Sequence, residues 1–372
     1  MLFFELLQIA IGNRDRFSQT PTEGEWRELF ALAQKQAMIG ITFRGVERLP
    51  EVQRPPRSLL MQWYMATERI KKMNADLNHK AQMVAETFRK EGFPGVVLKG
   101  QGVAMLYNNV EVCSLDDSDN SQSPTTNSLY RTPGDIDIWL FGERGDILSY
   151  VRRHVTHCKP VYHHVDFPVV DGLDIEVHFT PSWMNSPITN RRLQRFFHEE
   201  RLMIVEGRST GIPTPSLAFN RVYILVHIYR HLFAEGIGLR QLLDYYFVLR
   251  QGFSEEERNV TMQTLRSLKM QRFAAAVMWV LQEVYAMDGR YLLVAPDERE
   301  GRFLLDEIIL AGNFGQYDER LQHEQGESAL HWGWRKVKRN FRFVSSYPSE
   351  VLWSPLFKLW HLFWRKRMTA ND

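Results

Sequence analysis

Gly134-Asp135-Ile136-Asp137-Ile138-Trp139 is the stretch that decides how this 372-residue chain is read. Apolar residues at every second position mark a strand, and the period of two puts Asp135 and Asp137 on one face, about 6–7 Å apart along the chain. Ile136 and Ile138 take the opposite face and anchor the strand in a core. Two carboxylates this close repel each other unless a cation sits between them. The same grammar returns at Leu173-Asp174-Ile175-Glu176-Val177-His178. There Glu176 offers a third carboxylate, with Asp174 two residues earlier as its competitor. Together they describe an oxygen-rich site for hard Mg²⁺ or Mn²⁺. The plain alternative is a strand with a solvated acidic outer face, since Asp-x-Asp triplets often arise by chance. The second acidic strand and a glycine turn upstream favour the metal site.

Around this centre the texture alternates between helix and strand. Gly95-Val96-Val97-Leu98-Lys99 is a short β-branched run, read as a buried strand. Gly100 and Gly102 follow it, and then VAMLY at helical spacing. Residues 111–133 are polar and turn-rich and read as a loop. A helix is expected over 143–155. Extended runs from Tyr162 to Val170 and from Leu173 to Phe179 meet at Asp171-Gly172, a strong hairpin signal. Apolar residues recur at three and four positions both before residue 92 and beyond Pro187. The expected fold is α+β: N-terminal helices over 1–92, a small mixed β-sheet core over 93–210 and a C-terminal helical bundle over 211–372.

Composition narrows the class less than the motifs do. The chain is 44% hydrophobic and 24% charged with a net charge of +2, which suits a globular protein and gives no strong nucleic-acid signal. Two cysteines, Cys113 and Cys158, make neither a disulfide framework nor a zinc pattern. The N-terminal apolar stretch is interrupted by Glu5 and lacks a basic leader or cleavage site. No run approaches the roughly 18 apolar residues of a membrane span. A cytoplasmic protein without a transmembrane segment is expected.

Three ordered motifs, LKGQGVAMLY (98–107), RTPGDIDIWL (131–140) and LDIEVHF (173–179), resemble the nucleotidyltransferase-like proteins of the DNA polymerase β superfamily. They are most similar to the bacterial "uncharacterised nucleotidyltransferase" group, with its LKG, R-x-x-x-D-[IL]-D and [DE]-[LV]-H pattern. The resemblance runs over about residues 94–250. It implies a mixed sheet with flanking helices, metal ions held by Asp135 and Asp137 on the triphosphate of an NTP, and Glu176 as third ligand or general base. It further implies that Gly100 and Gly102 form a phosphate-facing turn at a helix N-terminus, with Lys99 offsetting phosphate charge. The expected reaction moves an NMP unit from an NTP to a hydroxyl on a small molecule, a protein or RNA, with release of pyrophosphate. Two departures stand out. The superfamily's Gly-Gly or Gly-Ser turn reads Lys99-Gly100-Gln101-Gly102, and the polar stretch 111–133 lengthens the spacing to Asp-x-Asp. They keep open a second class, a non-catalytic nucleotide-binding or interaction protein on the same fold.

Several further residues have two readings each. Arg131 matches the arginine of the family pattern and would steady the triphosphate, or it pairs locally with Asp116, Asp117 or Asp119. His178 shares the acidic face and would orient Glu176, bind substrate or serve as a structural hydrogen-bonding residue. His227 and His231 stand four apart on an expected helix, without the glutamate or third ligand of a zinc site. The family's downstream pattern suggests instead that they face nucleotide or substrate. Arg240 and Asp244 form an i,i+4 helix pair by spacing alone, whereas the resemblance suggests a phosphate contact for Arg240. The segment SPLFKLWHLFWRKRM (354–368) suits either a helix docked on its own protein or one lying on an anionic membrane.

Overall fold

A long helix delivers the chain to the sheet. In the computed structural model, which describes residues 1–108, 127–155, 158–170, 173–205, 211–320 and 328–369, α1 (Leu2–Ala10), α2 (Glu23–Lys35) and α3 (Ile39–Arg48) precede α4 (Arg57–Lys90). Pro56 precedes the first turn of α4. Gly92, at φ +85°, follows its end, where a glycine takes the left-handed conformation without a Cβ penalty. A capping box between Thr22 and Glu25 starts α2.

The strands are β1 (Gly95–Val97), β2 (Ile136–Leu140), β3 (His164–Val170) and β4 (Leu173–His178), in the order β1-β2-β4-β3. The β2–β4 pair is parallel and the two outer pairs are antiparallel, so the sheet is mixed as expected. Between them lie α5 (Lys99–Ala104) and α6 (Arg144–Arg152), the latter inside the expected 143–155 helix. The expected turn at Asp171-Gly172 lies outside the described residues, as does most of the polar stretch. Its end is more ordered than a loop reading allows. Asn127–Tyr130 form a 3-10 turn with Ser128 and Tyr130 buried. Asn74 on α4 donates to the carbonyls of Leu129 and Arg131 and ties this turn to the helix.

One face of the sheet is uniformly apolar. Val97, Ile138, Leu140, Val165, Ile175 and Val177 pack against Leu77, Ala81, Val84 and Phe88 of α4 and Ile147, Leu148 and Val151 of α6. Each such fully buried aliphatic side chain is worth about 1.5–3 kcal/mol relative to exposure. The other face is divided. Trp139 and Val96 join a large helical core, whereas Asp137, Glu176 and His178 form a polar end.

The C-terminal half begins with α7 (Pro187–Val205) and α8 (Leu217–Ala234), followed by α9 (Leu239–Arg250), α10 (Glu255–Ser267), α11 (Gln271–Tyr285) and α12 (Glu298–Ala311). Last come α13 (Ala329–Phe341) and α14 (Pro348–Thr369). α8 is buried nearly all round, as its apolar sequence requires. Phe219 stacks on Trp139, ring centroids 5.6 Å apart, and fixes α8 over the sheet. The N-terminal helices share this core: Phe3, Leu6, Leu7 and Ile9 cluster with residues of α8, α9 and α11. The side chain of Gln36 links Ile308 O to Leu239 N. Among the described residues, no helix is long and apolar enough to cross a membrane.

Candidate active site

Register brings the acidic residues together. Asp137 on β2 is the parallel partner of Glu176 on β4, which in turn pairs with Asp166 on β3, and His164 pairs with His178. These side chains therefore share one face. Single ligand atoms from Asp137, Glu176 and His178 lie within 4.8 Å of one another. His178 Nε2 is 2.9 Å from Asp137 Oδ1 and 3.3 Å from Glu176 Oε2. Asp174 shares the strand but is exposed at the rim, and Glu176 occupies the position facing Asp137. Asp135 lies just before β2, with its side chain 40% exposed against 2% for Asp137.

Lys99 reaches this cluster through an unusual backbone. Its φ is +29° and that of Gly100 is +39°, an abrupt turn from β1 into α5. A left-handed conformation at a lysine is held only where surrounding structure demands it. The result places Lys99 Nζ 2.8 Å from Asp137 Oδ2 and 3.6 Å from Asp135 Oδ2. Gly102 is required for a different reason: a Cβ there would lie 2.2 Å from the Val97 carbonyl oxygen. It is a packing residue, whereas Gly100 lines the cavity.

The charges compensate one another. Burial alone would lower the Lys99 ammonium, but Asp137, Asp135 and Glu176 outweigh it and raise it. Burial likewise opposes protonation of His178, yet hydrogen bonds with Asp137 and Glu176 raise it to about 9. Glu176 would rise through burial, but its hydrogen bond with His178, together with His164 and Lys99, holds it at about 2. His164 is lowered by burial and by His178, with its Nδ1 3.4 Å from Glu176 Oε2.

The cluster opens into a cavity of about 480 Å³, also lined by His163, Trp183, His227, Arg230, His231 and Phe314. A narrow extension past Asp135 is bounded by Gly100, Gly134, Arg131, Arg240 and Asp244. His227 and His231 thus face the cavity, their rings 4.3 Å apart. Arg131 and Arg240 differ in role. Arg131 is buried and donates twice to Asp244, Nε to Oδ1 at 2.7 Å and Nη2 to Oδ2 at 2.8 Å. Its sequence-local partners Asp116, Asp117 and Asp119 lie outside the described residues. Tyr107 adds a third bond to Asp244 at 2.7 Å. Arg240 therefore does not form the i,i+4 pair that spacing suggests. It donates to the backbone oxygens of Thr132 and Pro133, and no carboxylate partner for it occurs among the described residues. Burial and Arg131 lower its guanidinium to about 10.

His163, His164, Asp166, Trp183 and Arg230 belong to the site's surroundings but were not singled out from sequence. The signal was present for β3, where His164 and Asp166 alternate with Val165 and Phe167. Trp183 and Arg230, stacked at 4.6 Å, carry no such local pattern.

A divalent ion, with bonds of ~2.1–2.3 Å that place ligands up to roughly 4.6 Å apart, fits the two carboxylates and the histidine converging within 4.8 Å provided that it displaces the proton His178 holds between Asp137 and Glu176. A search of curated proteins and one of solved structures each found no match. A family model described as "uncharacterised nucleotidyltransferase" matches residues 22–120 and 126–286, which span β1, Lys99, β2, β4 and the helices that carry His227 and Arg240. The chain belongs to this uncharacterised nucleotidyltransferase family.

Proposed function

We propose that the protein transfers an NMP unit from an NTP to a hydroxyl acceptor, with Asp137, Glu176 and His178 holding a divalent ion and Asp135 reaching it from the rim. The convergence of those three side chains beside an open cavity is the observation that carries this reading. The imidazole in the donor set favours Mn²⁺ over Mg²⁺. A bound ion would neutralise triphosphate charge and make the attacking hydroxyl more acidic. Arg240, a buried cation without a carboxylate partner among the described residues, is suited to a phosphate oxygen in the extension beside Asp135. Lys99 offsets further phosphate charge, and Gly100 lets the backbone approach. Arg131, saturated by Asp244, supports the wall that Arg240 belongs to.

In the transfer, the acceptor oxygen bonds to the α-phosphorus, the bond to the bridging oxygen breaks, and pyrophosphate leaves. Glu176, held at about 2, is a better ligand than base. His164, neutral at pH 7 and beside Glu176, is the residue we assign to take the hydroxyl proton. His227 and His231 line the acceptor side of the cavity together with Asp174 at its rim. A small molecule, a protein side chain and an RNA end all remain acceptor classes for a screen. We assign the protein to the cytoplasm as a compartment that supplies NTP, and we group it with DNA polymerase β-like enzymes on the mixed sheet with its acidic pair.

One observation favours a second reading. The Lys99 ammonium already lies against Asp137 and Asp135, so the carboxylates have a protein-borne cation. On that reading the protein binds nucleotide or a partner without catalysis. Calorimetric titration of each NTP with Mn²⁺ or Mg²⁺, on wild type and on Asp135→Asn/Asp137→Asn, separates the two. Metal-dependent binding that the variant loses supports the enzyme. Binding indifferent to metal supports the second reading, and no binding by folded wild type removes the enzyme and leaves only a partner-binding protein.

A further inference from the structure

α14 is amphipathic in an inverted sense. Its inward stripe, Phe357, His361 and Trp364, docks on the strand region. The Tyr162 backbone N–H donates to His361 Nε2 at 3.1 Å, and Phe357 and Trp364 meet the Tyr162 ring. The opposite stripe is just as apolar but faces solvent. Leu352, Leu356, Leu359 and Phe363, spaced by four, three and four, are 54–64% exposed, and Trp353 and Trp360 beside them are 38% and 47% exposed. An apolar face of this length is uncommon on a chain that has nothing to place against it.

Charge decides what covers it. Between Ala329 and Thr369 the sequence has nine Lys and Arg and one acidic residue, Glu350, in a chain whose total is only +2. Glu350 is buried against Arg230 at 2.8 Å and does not offset the surface, while Arg339 is buried beside Asp318 and Arg342 pairs with Glu307 at 2.8 Å, so that seven of the nine stand outside these two pairs. One turn past Phe363, exposed Lys366 and Arg367 continue the same face. Two copies of so basic a face repel each other, whereas leucine, tryptophan and a basic end together match the headgroup region of an anionic bilayer. α13 repeats the pattern, with Trp334, Val337 and Phe341 exposed among Arg335, Lys336 and Lys338.

We propose that α14 is a peripheral membrane anchor that lays the Leu352–Leu356–Leu359–Phe363 stripe into the surface of an anionic lipid bilayer. Because the inward stripe of the same helix contacts Tyr162, next to His163 and His164, the cavity is held near that surface. The proposal does not depend on the nucleotide reading.

The test is flotation of the full chain with phosphatidylcholine vesicles and with vesicles that also contain phosphatidylglycerol. Partition at least about tenfold stronger onto the anionic vesicles is expected, falling with added salt, with a blue shift of tryptophan emission. Leu356→Ser/Leu359→Ser/Phe363→Ser should reduce partition at least about tenfold, and Lys366→Gln/Arg367→Gln should weaken it on anionic vesicles alone. Both sets alter exposed positions, and circular dichroism verifies the fold. Failure of folded wild type to bind anionic vesicles overturns the proposal. So does undiminished binding by the leucine variant, or light scattering that shows a dimer lost in that variant without vesicle binding.

Discussion

Arg131 and Asp244, 113 positions apart, form a bidentate ion pair in which both side chains are about 5% exposed. It ties the segment leading into β2 to α9, and so fixes where Asp135 stands relative to Arg240. Removing one partner of such a pair leaves an uncompensated buried charge. Asp244→Ala should lower stability by roughly 3–5 kcal/mol, read from urea unfolding. A loss under about 1 kcal/mol would mean that water reaches Arg131.

Lys99 competes with any metal for Asp137. Lys99→Met should therefore tighten Mn²⁺ binding without nucleotide by roughly tenfold, the effect of removing a nearby like charge, while weakening NTP binding. Calorimetry reads both. Weaker metal binding in the variant would show that Lys99 organises the carboxylates instead of opposing the ion.

His227, half-buried in the cavity wall, is held well below the usual histidine range, by desolvation first and then by His231 and Lys99. The folded protein keeps it neutral, whereas the unfolded chain takes up a proton below about pH 6.5. Its stabilising contribution is complete above that pH and shrinks as pH falls, by up to about 1.4 kcal/mol per pH unit. Urea unfolding of the metal-free protein at pH 7.5, 6.5 and 5.5 should show this slope, and His227→Gln should reduce it, with His163 and His164 contributing the remainder in the same sense. An equal slope in the variant would place the acid sensitivity elsewhere.

The two glycines of the turn fail for different reasons. Gly102→Ala forces a methyl group into the Val97 carbonyl and should cost roughly 1–3 kcal/mol. Gly100→Ala has room but must keep a positive φ, a penalty of roughly 1–2 kcal/mol. Denaturation gives both, and nucleotide titration should show the larger change for Gly100→Ala, because only Gly100 lines the cavity. Equal binding losses would count against that distinction.

The strands of the acidic centre were legible because each has one apolar face, and an alternating pattern survives without any knowledge of neighbours. Ile136 and Ile138, like Ile175 and Val177, announce that face directly. That Asp137 meets Glu176 across a parallel ladder was not written locally, since it depends on β3 returning along the sheet edge. The partner of Asp244 was hidden for the same reason. Helical spacing nominates Arg240, but a buried carboxylate takes the guanidinium that can reach it with two bonds, and Arg131 arrives from 113 positions away. His163 and His164 became site residues only through the pairing of β3 with β4. The exposed stripe of α14 was readable as amphipathic, but which of its faces docks required the contacts of Tyr162.

Gln36, bonded at once to Ile308 and Leu239, joins regions that the family's limits would separate. α1 lies wholly outside residues 22–286, yet Phe3, Leu6, Leu7 and Ile9 fill the core beside α11. What relatives hold in common is thus narrower than what must fold together. A fragment trimmed to the family's limits would keep the acidic cluster, Lys99 and Arg240 but lose Phe314 from the cavity wall and bare the apolar flank of α11, so an inactive, aggregating fragment would say nothing about the chemistry of the intact chain.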